Sequence, residues 1–329
     1  MQYKSVKGYS ATSQLGTLIT FVGIGLILTV LFQLILAWMI VPANIPMDKW
    51  ATELQALFAN PEYINYVRIS QVINSFFLLA FPAIMFTRVV NGKSPFWLGF
   101  NSYVNGQQLM LGFLALIVAN MFASSLADLS KLILSKFPHY DTIAASFETK
   151  YEEQIKSLVK INSLPQLGLA LLIMAFIPAL FEEILFRGTI QNFLMRWWKK
   201  PLAAIVVTSI IFSLTHLSVY LFLTRAVLGF CLGYLFFTTR NIWISIFAHF
   251  INNAIAVYQL YLISSKNEEI KLDKLDPYIP WWTGVISLIF LVGLFWWLDK
   301  ISKNNRSRII ARELALTATE YDPQKPVIT

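Results

Sequence analysis

The sequence predicts an all-α fold, a polytopic membrane bundle of about eight transmembrane helices. Three observations carry that reading. Hydrophobic residues make up 57% of the chain and charged residues only 13%, with a mean hydropathy of +0.60, whereas a soluble domain carries about 25% charged residues. Apolar runs recur at the length of a membrane span, about 20 residues. Lysine and arginine gather in alternate connecting segments, the asymmetry that membrane insertion leaves behind.

The first apolar run, 15–41, is longer than the roughly 7–15-residue core of a signal peptide and has no convincing cleavage site after it, so it reads as a retained span. Spans at 69–87 and 108–127 follow. From 128 to 164, Lys131, Lys136, Lys150, Lys156 and Lys160 mix with Asp128, Asp141, Glu148, Glu152 and Glu153, a solvated pattern with room for a helix. His139, beside Pro138, reads as a surface histidine there. Four spans come next, at 165–187, 202–223, 226–239 and 241–263. The third of these is short and carries Gly229 and Gly233, a small-xxx-small spacing that lets backbones approach closely and suits a central helix. Cys231 lies within it, and a lone cysteine permits neither a disulfide framework nor a cysteine metal site. The last span is 281–298, and the polar stretch after about residue 303 reads as a flexible tail. The chain thus divides into an N-terminal membrane part with its outer loop (1–164), a core (165–262), a last span (263–303) and a tail (304–329).

With the N-terminus inside, the inner segments hold Lys4, Lys7, Arg88, Lys93, Arg196, Lys199, Lys200, Arg240 and a basic tail, whereas acids balance the lysines of the outer loops. Both termini are then expected in the cytoplasm. The net charge of +8 becomes a topology signal and an attraction for anionic membrane lipid. No nucleic-acid-binding motif competes with that reading.

Two of the three histidines, His216 and His249, lie in apolar runs, as do the adjacent Glu182 and Glu183. An unpaired charge at mid-membrane costs about 2.5 kcal/mol or more, so polar groups there usually have a function. Successive helical residues turn by about 100°, so the two glutamates face different ways. Arg187, four residues after Glu183, is spaced to pair with it, which leaves Glu182 for another helix. Phe212 and His216 share a face by the same spacing, as do His249 and Asn253; Asn252 points aside. A turn near Lys199 and Pro201 would bring Glu182 and His216 to similar depth, each 16–17 residues from it. By residue count His249 lies nearer the inner end, and only a longer preceding helix or a tilt would bring it level.

Phe-Glu-Glu-Ile-Leu-Phe-Arg fits a Glu-Glu-xxx-Arg motif, Phe212 to His216 fits Phe-xxx-His, and His249 to Asn253 fits His-xxx-Asn, in order on successive spans. Across roughly 165–262 the chain resembles the CPBP family of intramembrane proteases, also called the Abi or CAAX prenyl protease 2-like family. The resemblance implies an endopeptidase acting on a peptide or protein substrate that can be lipidated, of CAAX or bacteriocin type. It implies Glu182 as the general base with His216 beside it, His249 and Asn253 as the oxyanion holders, and Glu183, Arg187 and Phe212 in support. The family is often described as metalloproteases, so a divalent metal, zinc for example, on Glu182, His216 and His249 stands beside a cofactor-free site. Asn253 suits a hydrogen bond better than zinc. Two other function classes compete: a proton-coupled transporter, whose inverted repeats and broken helix pairs are missing from the sequence, and a non-catalytic immunity or scaffold protein, which the loss of a motif residue would favour.

Overall fold

The computed structural model describes residues 5–126, 132, 135–158, 161, 163–265 and 280–320. Among these residues the regular structure is helical, with no strand. The helices are α1 (Ala11–Ile40), α2 (Trp50–Ala59), α3 (Ile64–Val90), α4 (Gly106–Ser124), α5 (Pro138–Leu158), α6 (Leu164–Trp198), α7 (Pro201–Leu214), α8 (Phe222–Thr239), α9 (Ile242–Ser265) and α10 (Trp281–Glu320). Seven are long and apolar enough to cross a membrane, and α7 is a shorter apolar helix. The multi-pass bundle expected from composition is therefore present.

Several helices differ from the sequence expectation, each for a visible reason. The span expected at 202–223 stops at Leu214, so His216 lies in a turn and not on the helix. There the Thr215 hydroxyl and His216 Nδ1 both donate to the Phe212 carbonyl, and Leu217 takes a left-handed φ of 53°. Side chains that bond the last-turn carbonyls offer the backbone an alternative to further helix. The span expected at 165–187 is part of α6, which runs on to Trp198, up to the turn that the sequence placed near Lys199 and Pro201. Its later polar residues stay buried because Arg187 Nη2 and Gln191 Nε2 donate to the carbonyls of Gly229 and Gly233 on α8, at 3.1 and 2.8 Å.

Beyond 303, where the sequence suggested a tail, α10 continues to Glu320. Ser302 accepts a hydrogen bond from Gln108 Nε2 at 2.9 Å, and Ile309 packs against Val6, Phe96 and Trp97. The helix persists because it has an apolar and amide-lined groove to lie in. The end of the expected tail, 321–329, falls outside the described residues. Between 128 and 164 the helix for which the sequence left room is α5, and His139 on it is exposed, as expected.

Pro82 and Pro178 lie inside α3 and α6, and each follows a stretch of wider π-helix, Phe76–Ala80 and Leu171–Phe176. A proline lacks the N–H that its turn needs and crowds the carbonyl four residues back. Local π adjustment lets a membrane helix continue through it.

The core has α8 at its centre. Cys231, Leu232 and Leu235 pack between Leu111, Ala115 and Leu116 of α4 and Leu291, Phe295 and Leu298 of α10. The small-residue spacing serves as expected: a Cβ at Gly229 would lie 3.3 Å from the Ser209 backbone, and one at Gly233 would lie 2.7 Å from Gln191 Oε1. At one end of the bundle, the start of α1 and the ends of α3 and α6 meet α7 through Ala11, Phe86, Val90, Phe193 and Ala204. Lys199, left-handed at φ 55°, closes α6, and Pro201 opens α7, so the turn lies where the sequence put it. Lys7 donates to the Arg88 carbonyl at this end, which we call the basic end.

Candidate active site

The depth of His249, left open by residue counting, is set by the segment between α3 and α4. That segment tucks under α9, so that Ile242 N–H donates to the Gly99 carbonyl at 3.0 Å. Ile242 in turn packs on Gly188 of α6, whose missing Cβ would stand 2.7 Å from the Leu98 carbonyl and 3.3 Å from Ile242 Cδ1. Helix α9 therefore starts level with Gly188. His249 is seven residues on from Ile242 (249 − 242), and Glu182 is six residues back from Gly188 (188 − 182) along an antiparallel neighbour. The two side chains meet without any tilt being required.

Glu183 faces inward, with no exposed side-chain surface, and pairs with Arg187 at 3.3 Å (Oε2 to Nε); Arg187 is 1% exposed. Its other oxygen, Oε1, takes His249 Nδ1 at 3.0 Å. Glu182 faces the other way and is 15% exposed, and its Oε2 stands 3.9 Å from both His216 Nε2 and His249 Nε2. That distance is too long for a hydrogen bond, and Glu182 Oε2, although buried, has no hydrogen-bond partner among the described residues. His216 is the most open of the group at 26%. The sequence argument that the two glutamates have different neighbours is thus visible as geometry.

The tautomers follow from the partners. A carbonyl oxygen only accepts, so His216 Nδ1, 2.9 Å from the Phe212 carbonyl, carries the proton. His249 Nδ1 likewise donates to the Glu183 carboxylate. In their neutral forms both rings then turn an Nε2 lone pair toward Glu182. One carboxylate oxygen and two lone pairs converge on a small volume that lacks a donor.

Phe212 is the plate that holds these groups in place. Its ring lies 4.7 Å from that of His216 and 6.0 Å from that of His249, edge-on to Phe186 at 5.2 Å, with the Arg187 guanidinium over its face at 4.8 Å. Asn253 is half-buried one turn beyond His249 and makes no hydrogen bond to a described residue. Asn252, expected to point aside, accepts from the Asn120 amide of α4.

Three contributors were not singled out from the sequence. Arg225, in the first turn of α8 and 9% exposed, donates to the His216 carbonyl at 3.3 Å. Its signal was a lone arginine at the edge of an apolar run. The turn that carries His216 is also tied to α5: the Ser218 hydroxyl donates to Glu148 Oε2 at 2.7 Å, and the Tyr220 hydroxyl to Asp141 Oδ1 at 2.6 Å. The bond to Asp141 pushes the Tyr220 phenol up to about 12. No residue pattern announces contacts between segments so far apart.

A metal tests poorly against these positions. Catalytic zinc takes three ligands at about 2.0–2.1 Å, so neighbouring ligand atoms stand roughly 3.3 Å apart, and 3.9 Å on two edges is wider. Among the described residues no group of three His, Cys, Asp or Glu is placed to hold a metal ion. The donor types are those of a metal site, whereas the spacing is not.

Residues 164–255 match the family model of Rce1-like proteins, described as type II CAAX prenyl endopeptidase Rce1-like. Over this segment, under a third of the chain, the sequence is similar to the Rce1-like family. The Rce1-like segment runs from the first residue of α6 to just past Asn253, so it contains all three motifs and none of α1 to α5 or α10. No curated protein and no solved structure matches the chain. The matched family is one of CAAX-type prenyl endopeptidases, and in this chain the match lies within a bundle that has seven helices long and apolar enough to cross a membrane.

Proposed function

We propose that the Rce1-like core hydrolyses a peptide bond near the C-terminus of a membrane-associated, lipidated protein, with Glu182 as general base. One observation carries this reading: a buried carboxylate oxygen without a hydrogen-bond partner, facing two imidazole lone pairs at 3.9 Å. A water molecule supplies the missing donors. It gives one hydrogen to Glu182 Oε2 and the other to His216 Nε2, which aims its lone pair at the scissile carbonyl. As the C–O bond forms, Glu182 takes the proton, and it returns that proton to the leaving amine when the C–N bond breaks.

The oxyanion needs donors aimed at it. The Asn253 amide donates in every protonation state. His249 joins only as the imidazolium, because its Nδ1 proton is held by Glu183. Arg187 and Glu183 keep that imidazole turned toward Glu182. No step passes through a metal.

The test incubates purified protein with a prenylated CAAX peptide and a panel of unmodified peptides, with and without a chelator. Release of the C-terminal fragment from the prenylated peptide, undiminished by the chelator, is expected. Loss of activity in the chelator with recovery on adding zinc would replace the water–glutamate step. Absence of cleavage in any arm by folded protein would favour the scaffold reading.

A further inference from the structure

The basic end holds a second polar site, unrelated to the proteolytic groups. A shallow open cleft lies there, between the ends of α6 and α8 and the cytoplasm-proximal length of α10 expected from the charge pattern. Its apolar lining comes from Phe96, Met195, Phe236 and Ile309, with the amides of Asn101 and Asn192 among them, and its charged groups are Arg196, Arg240 and Glu313. Glu313 Oε1 takes Arg196 Nη2 at 2.9 Å, whereas Glu313 Oε2 is 3.6 Å from Arg240 Nη1, beyond a hydrogen bond. Arg240 therefore keeps donors for another acceptor, with a side chain 40% exposed.

A third guanidinium stands close by. Arg306 donates to the Thr238 carbonyl and pairs with Asp299 at 2.8 Å. Burial lowers the Arg240 pKa, Glu313 opposes this, and the charges of Arg196 and Arg306 lower it further. In the cleft itself Arg196 and Arg240 face the one carboxylate of Glu313, an excess of one positive charge beside apolar side chains, and the Arg306–Asp299 pair lies outside its lining. An isolated excess of this kind is stabilised by an anion, and guanidinium is well suited to phosphate oxygens.

We propose that this cleft binds the phosphate group of an anionic amphiphile, with Arg196 and Arg240 on the phosphate and the acyl chains on the apolar lining. Glu313 occupies the same donors when the amphiphile is absent. The apolar lining separates this ligand from free phosphate, and the excess charge separates it from a zwitterionic lipid. Basic pockets between membrane helices commonly take anionic headgroups.

The experiment uses the full chain in a neutral detergent, with dioctanoyl phosphatidylglycerol, dioctanoyl phosphatidylcholine and inorganic phosphate as probes. Thermal unfolding and native mass spectrometry read the binding. Phosphatidylglycerol should raise the unfolding temperature and be retained, with little effect of the other two. Arg240→Gln and Arg196→Gln should each weaken it about fivefold, the ratio worth about one arginine–headgroup contact. Glu313→Gln, which removes the competing carboxylate, should tighten it, each variant being compared with its own lipid-free baseline. An equal response to phosphatidylcholine, or unchanged affinity in both arginine variants, overturns the proposal. A response to phosphate alone reassigns the cleft to a free anion and overturns the lipid.

Discussion

At the residue scale, adjacent glutamates with opposite surroundings should fail in different ways. Glu183 is fully enclosed with Arg187 and His249, so Glu183→Gln leaves a buried guanidinium without its counter-charge. Breaking one partner of a buried pair costs about 3–5 kcal/mol, and a lower unfolding temperature in detergent is expected. Glu182 has no such partner. Glu182→Gln should leave the unfolding temperature close to wild type and lower peptide cleavage by about 10²-fold or more, the range for loss of a general base. Equal loss of activity in two equally stable variants would refute the division of roles. That the two side chains face different ways was legible in the sequence, because a 100° turn per residue separates neighbours. What faced each glutamate was less so: Arg225 and Asn120 reach the site's neighbourhood from α8 and α4, and no spacing within one helix points to them.

At the element scale, the site depends on where helices stop and start. Helix α7 ends early because Thr215 and His216 bond back to Phe212, and α9 begins high because the 91–105 segment lies under it. Gly188 is the point on which that height rests. A Cβ there would meet the Leu98 carbonyl at 2.7 Å, so Gly188→Ala should push the segment or α9 out of register. Overpacking of this kind costs about 1–3 kcal/mol, and because His249 moves with α9, cleavage should fall more steeply than stability. Full activity in a folded Gly188→Ala protein would show that the height of α9 is set elsewhere. Hydropathy placed the start of α9 within one residue, at 241 against Ile242, but could not locate the end of α7, since an apolar residue in a membrane turn scores the same as one in a span.

At the scale of the whole molecule, the positive charges set an expectation for orientation: the basic end faces the cytoplasm. In a Cys231→Ala background, Lys200→Cys should react with a membrane-impermeant thiol reagent only from the cytoplasmic side. Met47→Cys, near the opposite ends of α1 and α3 and 69% exposed, should react only from the other side. Reversed labelling would invert the bundle and move the substrate to the other compartment. The sequence by itself determined that this chain is a helical membrane bundle, which residues are out of place in hydrocarbon, and that Glu183 with Arg187, and His249 with Asn253, share a helix face; for Phe212 and His216 it did not, because the helix ends at Leu214. Those properties follow from local composition and a 3.6-residue period. The tertiary structure alone decided that His249 reaches the depth of Glu182, that α10 docks across the basic end, and that α5 ties down the turn carrying His216. Each of those depends on contacts between segments distant in the chain, such as Gly188 with Leu98, Ser302 with Gln108 and Ser218 with Glu148, and periodicity within one segment carries no information about its partner.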